Sequence, residues 1–292
     1  MPRRFSRPGI LLRSAAWLLL LTGVAHPPEC AAQAGRSITV RTVPALPVRG
    51  AIATLIVVPD SAGSSSDGLT QVTGTAADEP LHFDAAEGGF QALLGIPLEG
   101  GDSVEVVLLL ERSGLTDTTT VGFAVHRLSF PTERLRVDPR MILYDSATRV
   151  RIDSEIAQAV EVSRRSHETP RLWTEPFRPP RPGRITSRYG TGREFNGTLT
   201  SRHLGTDFSG KPGEPVRASG RGVVALVADF FLAGRAVYLD HGGGLVTGYF
   251  HLSRVDVAAG DTVNAGAVVG GVGRTGRVTG PHLHWDARYG GI

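Results

Sequence analysis

Short apolar or alternating runs of strand length recur through the first part of the chain. They cover residues 38–41, 51–58, 81–85, 90–96, 104–111 and 118–126. Glu87-Gly88-Gly89 separates two of these runs and is typical of a hairpin turn. Because these runs lack helical periodicity, the pattern predicts an antiparallel β-domain over residues 35–130, most simply an immunoglobulin-like sandwich.

A helical pattern occurs once, over residues 147–167. Val150, Ile152, Ile156 and Ala159 follow a mostly three- and four-residue spacing, with charged residues between them. A proline-rich stretch then runs to Pro182 and cannot continue the helix. Residues 131–182 are therefore predicted to be a linker that contains one helix and an extended proline-rich strap.

Glycine-punctuated strands dominate the remainder, residues 183–292. The predicted strands cover residues 184–188, 222–229, 235–240, 245–251 and 267–272. The fold class predicted for the whole chain is mostly β, with a β-sandwich, a linker helix and a C-terminal antiparallel β-domain.

The N-terminus has the three-part layout of a secretory signal peptide. Four arginines precede an apolar run over residues 15–24, and Ala32-Gln33-Ala34 fits a cleavage site. The run is too short to span a bilayer. We predict a signal peptide over residues 1–34 and export to the periplasm, cell envelope or medium, with no membrane span after cleavage. The alternative is a signal anchor that stays uncleaved.

The basic charge of the chain resides largely in this leader. Residues 1–34 hold four of the 31 basic residues and one of the 28 acidic residues, so the rest is formally neutral. A nucleic-acid partner is therefore not expected. The single cysteine, Cys30, also lies in the leader, which leaves neither a disulfide framework nor a zinc-thiolate site in the exported chain.

Five residues from three separate stretches have the composition of a zinc site: His203, Asp207, His251, His282 and His284. Imidazole nitrogen and carboxylate oxygen are common ligands of catalytic zinc, which keeps three protein ligands and one open position. His282 and His284 are two apart and would share one face of a strand, with Leu283 and Trp285 on the other.

The motifs around these residues resemble the M23 (lysostaphin-type, LytM) zinc metallopeptidases, which cleave peptidoglycan peptides. The resemblance runs from about Phe177 to the end and is carried by the H-x-x-x-D of residues 203–207, by Tyr-Phe-His-Leu-Ser at 249–253, and by Gly-Pro-His-Leu-His at 280–284. It implies one zinc per chain, held by His203, Asp207 and His284.

The same resemblance implies that His251 and His282 lie beside the metal-bound water as catalytic groups. Tyr249, two residues before His251, is a possible transition-state donor or equally a packing residue. The implied function is a secreted zinc endopeptidase that hydrolyses peptide cross-links of peptidoglycan by a metal-activated water.

Two other functions compete with this interpretation. One is a non-catalytic LytM-type protein that binds the cell wall or activates another wall hydrolase. The other is a biotinyl- or lipoyl-type carrier, because residues 257–266 resemble the strand-turn of such carriers. A carrier needs an acceptor lysine at a hairpin tip, and the only lysine, Lys211, lies directly before Pro212. The carrier interpretation is therefore set aside.

Overall fold

The computed structural model describes residues 38–59 and 68–292. The predicted signal peptide lies outside the described residues. Within the described ranges, no helix is both long and apolar enough to cross a membrane.

Eight strands form the N-terminal part of the described chain. They are β1 (Ile38–Val43), β2 (Ile52–Pro59), β3 (Leu69–Ala76), β4 (Glu79–Leu81), β5 (Asp84–Ala86), β6 (Gly89–Gly95), β7 (Ser103–Arg112) and β8 (Leu115–Ala124). They make two antiparallel four-stranded sheets, in the orders β1-β2-β6-β5 and β4-β3-β7-β8. The predicted hairpin at Glu87-Gly88-Gly89 joins β5 to β6.

The two sheets are held together by alternating apolar residues. In β7, Val104, Val106, Leu108 and Leu110 are buried, while the residues between them are more exposed. They share one core with residues of the other sheet, such as Leu55. The period of two places every second side chain on the inner face, and the result is a β-sandwich. Its assignment to the immunoglobulin-like class remains a prediction.

The C-terminal part contains one α-helix, two short 3-10 helices and thirteen strands. The helices are a 3-10 turn (Pro139–Met141), α1 (Ser146–Arg165) and a second 3-10 turn (Ser166–Glu168). The strands are β9 (Thr132–Leu135), β10 (Ile185–Ser187), β11 (Gly192–Phe195), β12 (Leu199–Arg202), β13 (Thr206–Ser209), β14 (Pro215–Arg217), β15 (Gly222–Phe230), β16 (Gly234–Gly242), β17 (Leu245–Leu252), β18 (Arg254–Val255), β19 (Thr262–Val263), β20 (Val268–Gly271) and β21 (His282–Tyr289).

A seven-stranded antiparallel sheet is the frame of this part, in the order β10-β13-β21-β17-β16-β15-β19. Two three-stranded sheets flank it, β12-β11-β9 and β14-β20-β18. Strand β9 comes from the predicted linker and pairs in parallel with β11. The mostly β fold class predicted from the sequence is confirmed.

The predicted helix is also present and packs against the large sheet. Asp145 caps its N-terminus, since the Asp145 carboxylate accepts a hydrogen bond from the Thr148 N–H at 2.8 Å. Ala159 on its inner face packs with Phe230, Tyr238 and Phe250 of the sheet. The helix therefore covers one face of the sheet that carries the predicted site.

The sandwich contacts the end of β21 through polar groups. The Tyr289 hydroxyl donates to the Pro80 carbonyl at 2.7 Å, and the Gly291 N–H donates to Glu79 Oε1 at 2.7 Å. The other Glu79 oxygen lies 2.9 Å from Nε2 of His167, whose Nδ1 is hydrogen-bonded to Nε2 of His82 at 2.8 Å. These bonds tie the sandwich to the end of β21, to the Gly291 that follows it and to the second 3-10 turn.

Two adjacent leucines of β7 test the sandwich core. Leu108 is fully buried, whereas Leu109 is 41% exposed. Leu108→Ala removes buried methyl groups and leaves a cavity, so we expect it to lower the free energy of unfolding by about 2–5 kcal/mol. Leu109→Ala is the control and should change it by less than about 1 kcal/mol. Urea unfolding followed by circular dichroism measures both, and equal effects would contradict the assigned orientation of β7.

Candidate metal centre

The register between β13 and β21 builds the site. Asp207 on β13 lies directly opposite His284 on β21, and His203 lies three residues before the start of β13. The Nε2 of His203, Oδ1 of Asp207 and Nδ1 of His284 are each 2.9 Å from the other two. Three ligand atoms from two strands and one loop thus converge on one point.

Hydrogen bonding at His203 fixes which of its nitrogens faces that point. Its Nδ1 lies 3.0 Å from the Arg188 carbonyl, which can only accept a hydrogen bond. In the neutral ring Nδ1 therefore carries the proton, and Nε2 directs its lone pair at the Asp207 carboxylate. Lone pairs that face each other in a buried site repel unless a cation lies between them. The donor set of two imidazoles and one carboxylate fits a divalent metal ion such as zinc.

The Asp207 carboxylate remains ionised in this environment. Burial acts to raise the pKa of Asp207, but the short polar contacts with the His203 and His284 imidazoles outweigh it and hold the pKa far below its usual value. The second oxygen, Oδ2, accepts a hydrogen bond from the Arg193 guanidinium at 2.5 Å. The carboxylate thus presents one oxygen to the metal position and the other to an arginine.

His251 and His282 flank this position. Their ring centroids are 4.9 Å apart, and the His251 and His284 centroids are 5.9 Å apart. The Nδ1 of His251 donates to the Thr275 carbonyl at 2.8 Å, and the Nδ1 of His282 donates to the Gly280 carbonyl at 2.9 Å. Each ring therefore has a free lone pair on Nε2.

Both flanking imidazoles are neutral at neutral pH. Burial lowers the pKa of His251 well below its usual value, and the neighbouring His282 and His284 lower it further. Burial likewise lowers the pKa of His282, with Asp207 acting against it. Two neutral imidazoles beside a metal position can accept protons there.

Tyr249 is not brought to this site, and its possible role as a donor is not retained. Its side chain is fully buried in the core on the other face of the sheet, with Leu283. Its hydroxyl accepts a hydrogen bond from the Ser219 N–H at 2.8 Å and lies 3.0 Å from Thr247 Oγ1. Strand alternation would place Tyr249 and His251 on one face, but His251 adopts a positive φ of 61°, which breaks the alternation.

Two contributors to the site were missed in the sequence. Arg193 binds the Asp207 carboxylate, and no sequence spacing connects the two residues. Gly205 lies within the H-x-x-x-D motif, and a Cβ there would fall 2.4 Å from Nε2 of His284. Because that contact is too close for any side chain, only glycine at position 205 leaves space for the His284 imidazole. Its role could have been inferred from the sequence, because Gly205 lies between the two predicted ligands His203 and Asp207.

Comparison with known families agrees with this site. The model of Peptidase family M23 matches residues 201–292, which include all five predicted site residues. The candidate site therefore lies within the stretch that matches this peptidase family.

Curated relatives share this region. The chain is 46% identical over 84 residues to the peptidoglycan DD-endopeptidase ShyA of Vibrio cholerae, and this match covers 29% of the chain and 20% of ShyA. It is 46% identical over 89 residues to the DD-carboxypeptidase/endopeptidase Mpg of Neisseria meningitidis, and this match covers 30% of the chain and 20% of Mpg. The matched region thus spans about a fifth of the length of these relatives.

A solved structure resembles more of the chain. The crystal structure of a putative peptidase M23 from Pseudomonas aeruginosa has a TM-score of 0.63 and 28% sequence identity, over 84% of this chain and 91% of that one. Residues 201–292 make up less than a third of the chain, whereas this match covers 84% of it. The likeness in fold therefore extends into the N-terminal sandwich.

The three convergent residues should bind one divalent metal per chain, tested with zinc. His203→Ala or Asp207→Ala removes one of three ligands, so we expect zinc affinity to fall by at least ~100-fold. His126→Ala is the control, since His126 is exposed and lies outside the cluster. Metal analysis after dialysis against a graded chelator gives the readout. Full zinc retention by both ligand variants would contradict the assignment.

Proposed function

We propose that this protein is a zinc-dependent endopeptidase that hydrolyses peptide cross-links of peptidoglycan in the cell envelope. The observation that supports it best is the convergence of three ligand atoms beside two neutral histidines. The names of the relatives, peptidoglycan DD-endopeptidase and DD-carboxypeptidase/endopeptidase, support peptidoglycan as the substrate. Export through the predicted signal peptide is consistent with that location.

The residues present divide the chemistry between them. His203, Asp207 and His284 would hold the metal. When bound, zinc would act as a Lewis acid, which lowers the pKa of water to about 7 and polarises a scissile carbonyl. The Nε2 atom of His251 or of His282 accepts the proton released during attack, and the protonated imidazole then donates it to the leaving amine. Their Nδ1–H bonds to backbone carbonyls hold both rings in the required tautomer.

The alternative of a non-catalytic wall-binding protein or activator is not favoured. Such a role would not require a complete ligand set or the two histidines beside it, and all five residues are brought together.

Digestion of peptidoglycan tests the function directly. Purified protein loaded with zinc should release un-cross-linked muropeptides from isolated sacculi, with the products identified by mass spectrometry. Chelation should abolish the release, and zinc should restore it. Sacculi from species with different cross-links define the bond that is cut. Zinc-loaded protein that leaves every cross-link intact would contradict the proposal and favour the non-catalytic alternative.

His251 separates catalysis from metal binding. In His251→Ala the three ligands remain, so zinc content should be unchanged while hydrolysis falls by at least ~100-fold, because a proton acceptor is lost. Zinc content and muropeptide release are measured on the same preparation, with His126→Ala as the control. Loss of zinc in His251→Ala would show instead that His251 is a ligand.

A further inference from the structure

Two cavities adjoin at the metal site. One, of about 230 Å³, lies between the sheet and α1 and is lined by Ile152, Ile156 and His284. The other, of about 370 Å³, is lined by Thr186, Pro281 and His282. Arg193 and Arg277 line both cavities, so they lie where a bound chain would pass the metal position.

Most of the charged side chains that line these two cavities are already paired. Three of the four arginines that line them form ion pairs: Arg193 with Asp207, Arg202 with Glu99 and Arg288 with Asp286. The remaining acids that line the cavities are also engaged. Glu155 binds Arg151 and the Phe231 N–H, and Glu133 accepts a hydrogen bond from the Ser187 hydroxyl.

Arg277 is the exception. Within residues 38–59 and 68–292, no carboxylate lies within ion-pair distance of its guanidinium, and no side-chain or backbone oxygen accepts a hydrogen bond from it. Burial lowers the pKa of Arg277, and the nearby Arg193 charge adds to the effect while Tyr144 opposes it. A partly buried guanidinium with free donors and no counter-charge favours an anion.

The guanidinium is also held in one orientation. Its central carbon lies 4.4 Å from the centre of the Phe195 ring, and Phe195 is itself buried. The backbone N–H of Arg277 donates a 2.9 Å hydrogen bond to the Leu232 carbonyl, which fixes the main chain from which the side chain extends. Stacking on an aromatic ring leaves the edge of the guanidinium free, and that edge is the part that pairs with a carboxylate through two parallel hydrogen bonds.

We propose that Arg277 is a specificity determinant that binds a free carboxylate of the substrate peptide next to the scissile bond. This inference rests on the proposed peptidase function. The carboxylate has two possible sources, the C-terminal α-carboxylate of a peptide or the side-chain carboxylate of an acidic residue, and both offer the same planar partner. Arg193 cannot replace Arg277, because it is committed to Asp207.

Matched peptides test the proposal. Zinc-loaded protein is given three versions of one cross-linked peptide: the free acid, a form amidated at the C-terminal carboxylate, and a form amidated at the side-chain carboxylate. We expect kcat/KM to fall by about 10–100-fold for the form that lacks the recognised carboxylate, the range for a lost hydrogen bond to a charged group. The form that falls identifies the source.

Variants of Arg277 connect that preference to the residue. Arg277→Gln should reduce kcat/KM for the free acid to that of the affected amide, with little change for the amide, and Arg277→Lys should recover part of the preference. Arg165→Gln is the control, since Arg165 is exposed on α1 and pairs with Glu161. Equal losses of Arg277→Gln on all peptides, or no preference in the unaltered protein, would overturn the proposal.

A binding measurement distinguishes this inference from the proposed function. If the unaltered protein cuts none of the peptides, the peptidase proposal fails, and calorimetry with the zinc-loaded protein then judges the carboxylate site alone. Tighter binding of the free acid than of the amide, lost in Arg277→Gln, would support the site. Identical dissociation constants would exclude it.

Discussion

The antiparallel register between β13 and β21 is the constraint on which the site depends. It sets Asp207 opposite His284 and Phe208 opposite Leu283. Residues on one face of this pair converge on the metal position, and those on the other enter the core, where Leu283 is fully buried. Because side chains alternate with a period of two, a slip of one residue would exchange the two faces. The apolar core therefore selects the register that brings the ligands together.

One backbone exception completes the arrangement. Alternation along β17 places Tyr249 in the core and Phe250 on the helix-covered face. His251 has a positive φ of 61°, uncommon for a residue with a side chain, and its N–H donates to the Ala233 carbonyl. The local change in direction turns the imidazole toward His282. Strained backbone of this kind persists where surrounding contacts impose it, as the Nδ1–H bond to Thr275 does here.

Much of this could be predicted from the sequence, because the signals are local. Alternation with a period of two predicted β7, and the spacing of Ile152 and Ala159 predicted α1. The H-x-H motif predicted that two imidazoles lie on one face of a strand. The β11–β12 hairpin was missed, although Asn196-Gly197, both with positive φ, is a strong hairpin signal. Other features depend on tertiary contact. The bond of Arg193 to Asp207 and the turn of His251 have no counterpart in spacing, so strand alternation alone could not decide between a donor role and a packing role for Tyr249.

Strand β21 carries His282 and His284 at its beginning and Tyr289 at its end. The docked sandwich and the candidate metal ligands therefore share one continuous strand, in which His284 and Tyr289 are about 17 Å apart at ~3.4 Å per residue. Docking of Pro80 and Glu79 against the end of β21 favours the ordered strand. Binding of a metal by the candidate ligands would then stabilise the same ordered strand that docking of the sandwich stabilises, and the two equilibria would be linked through the backbone.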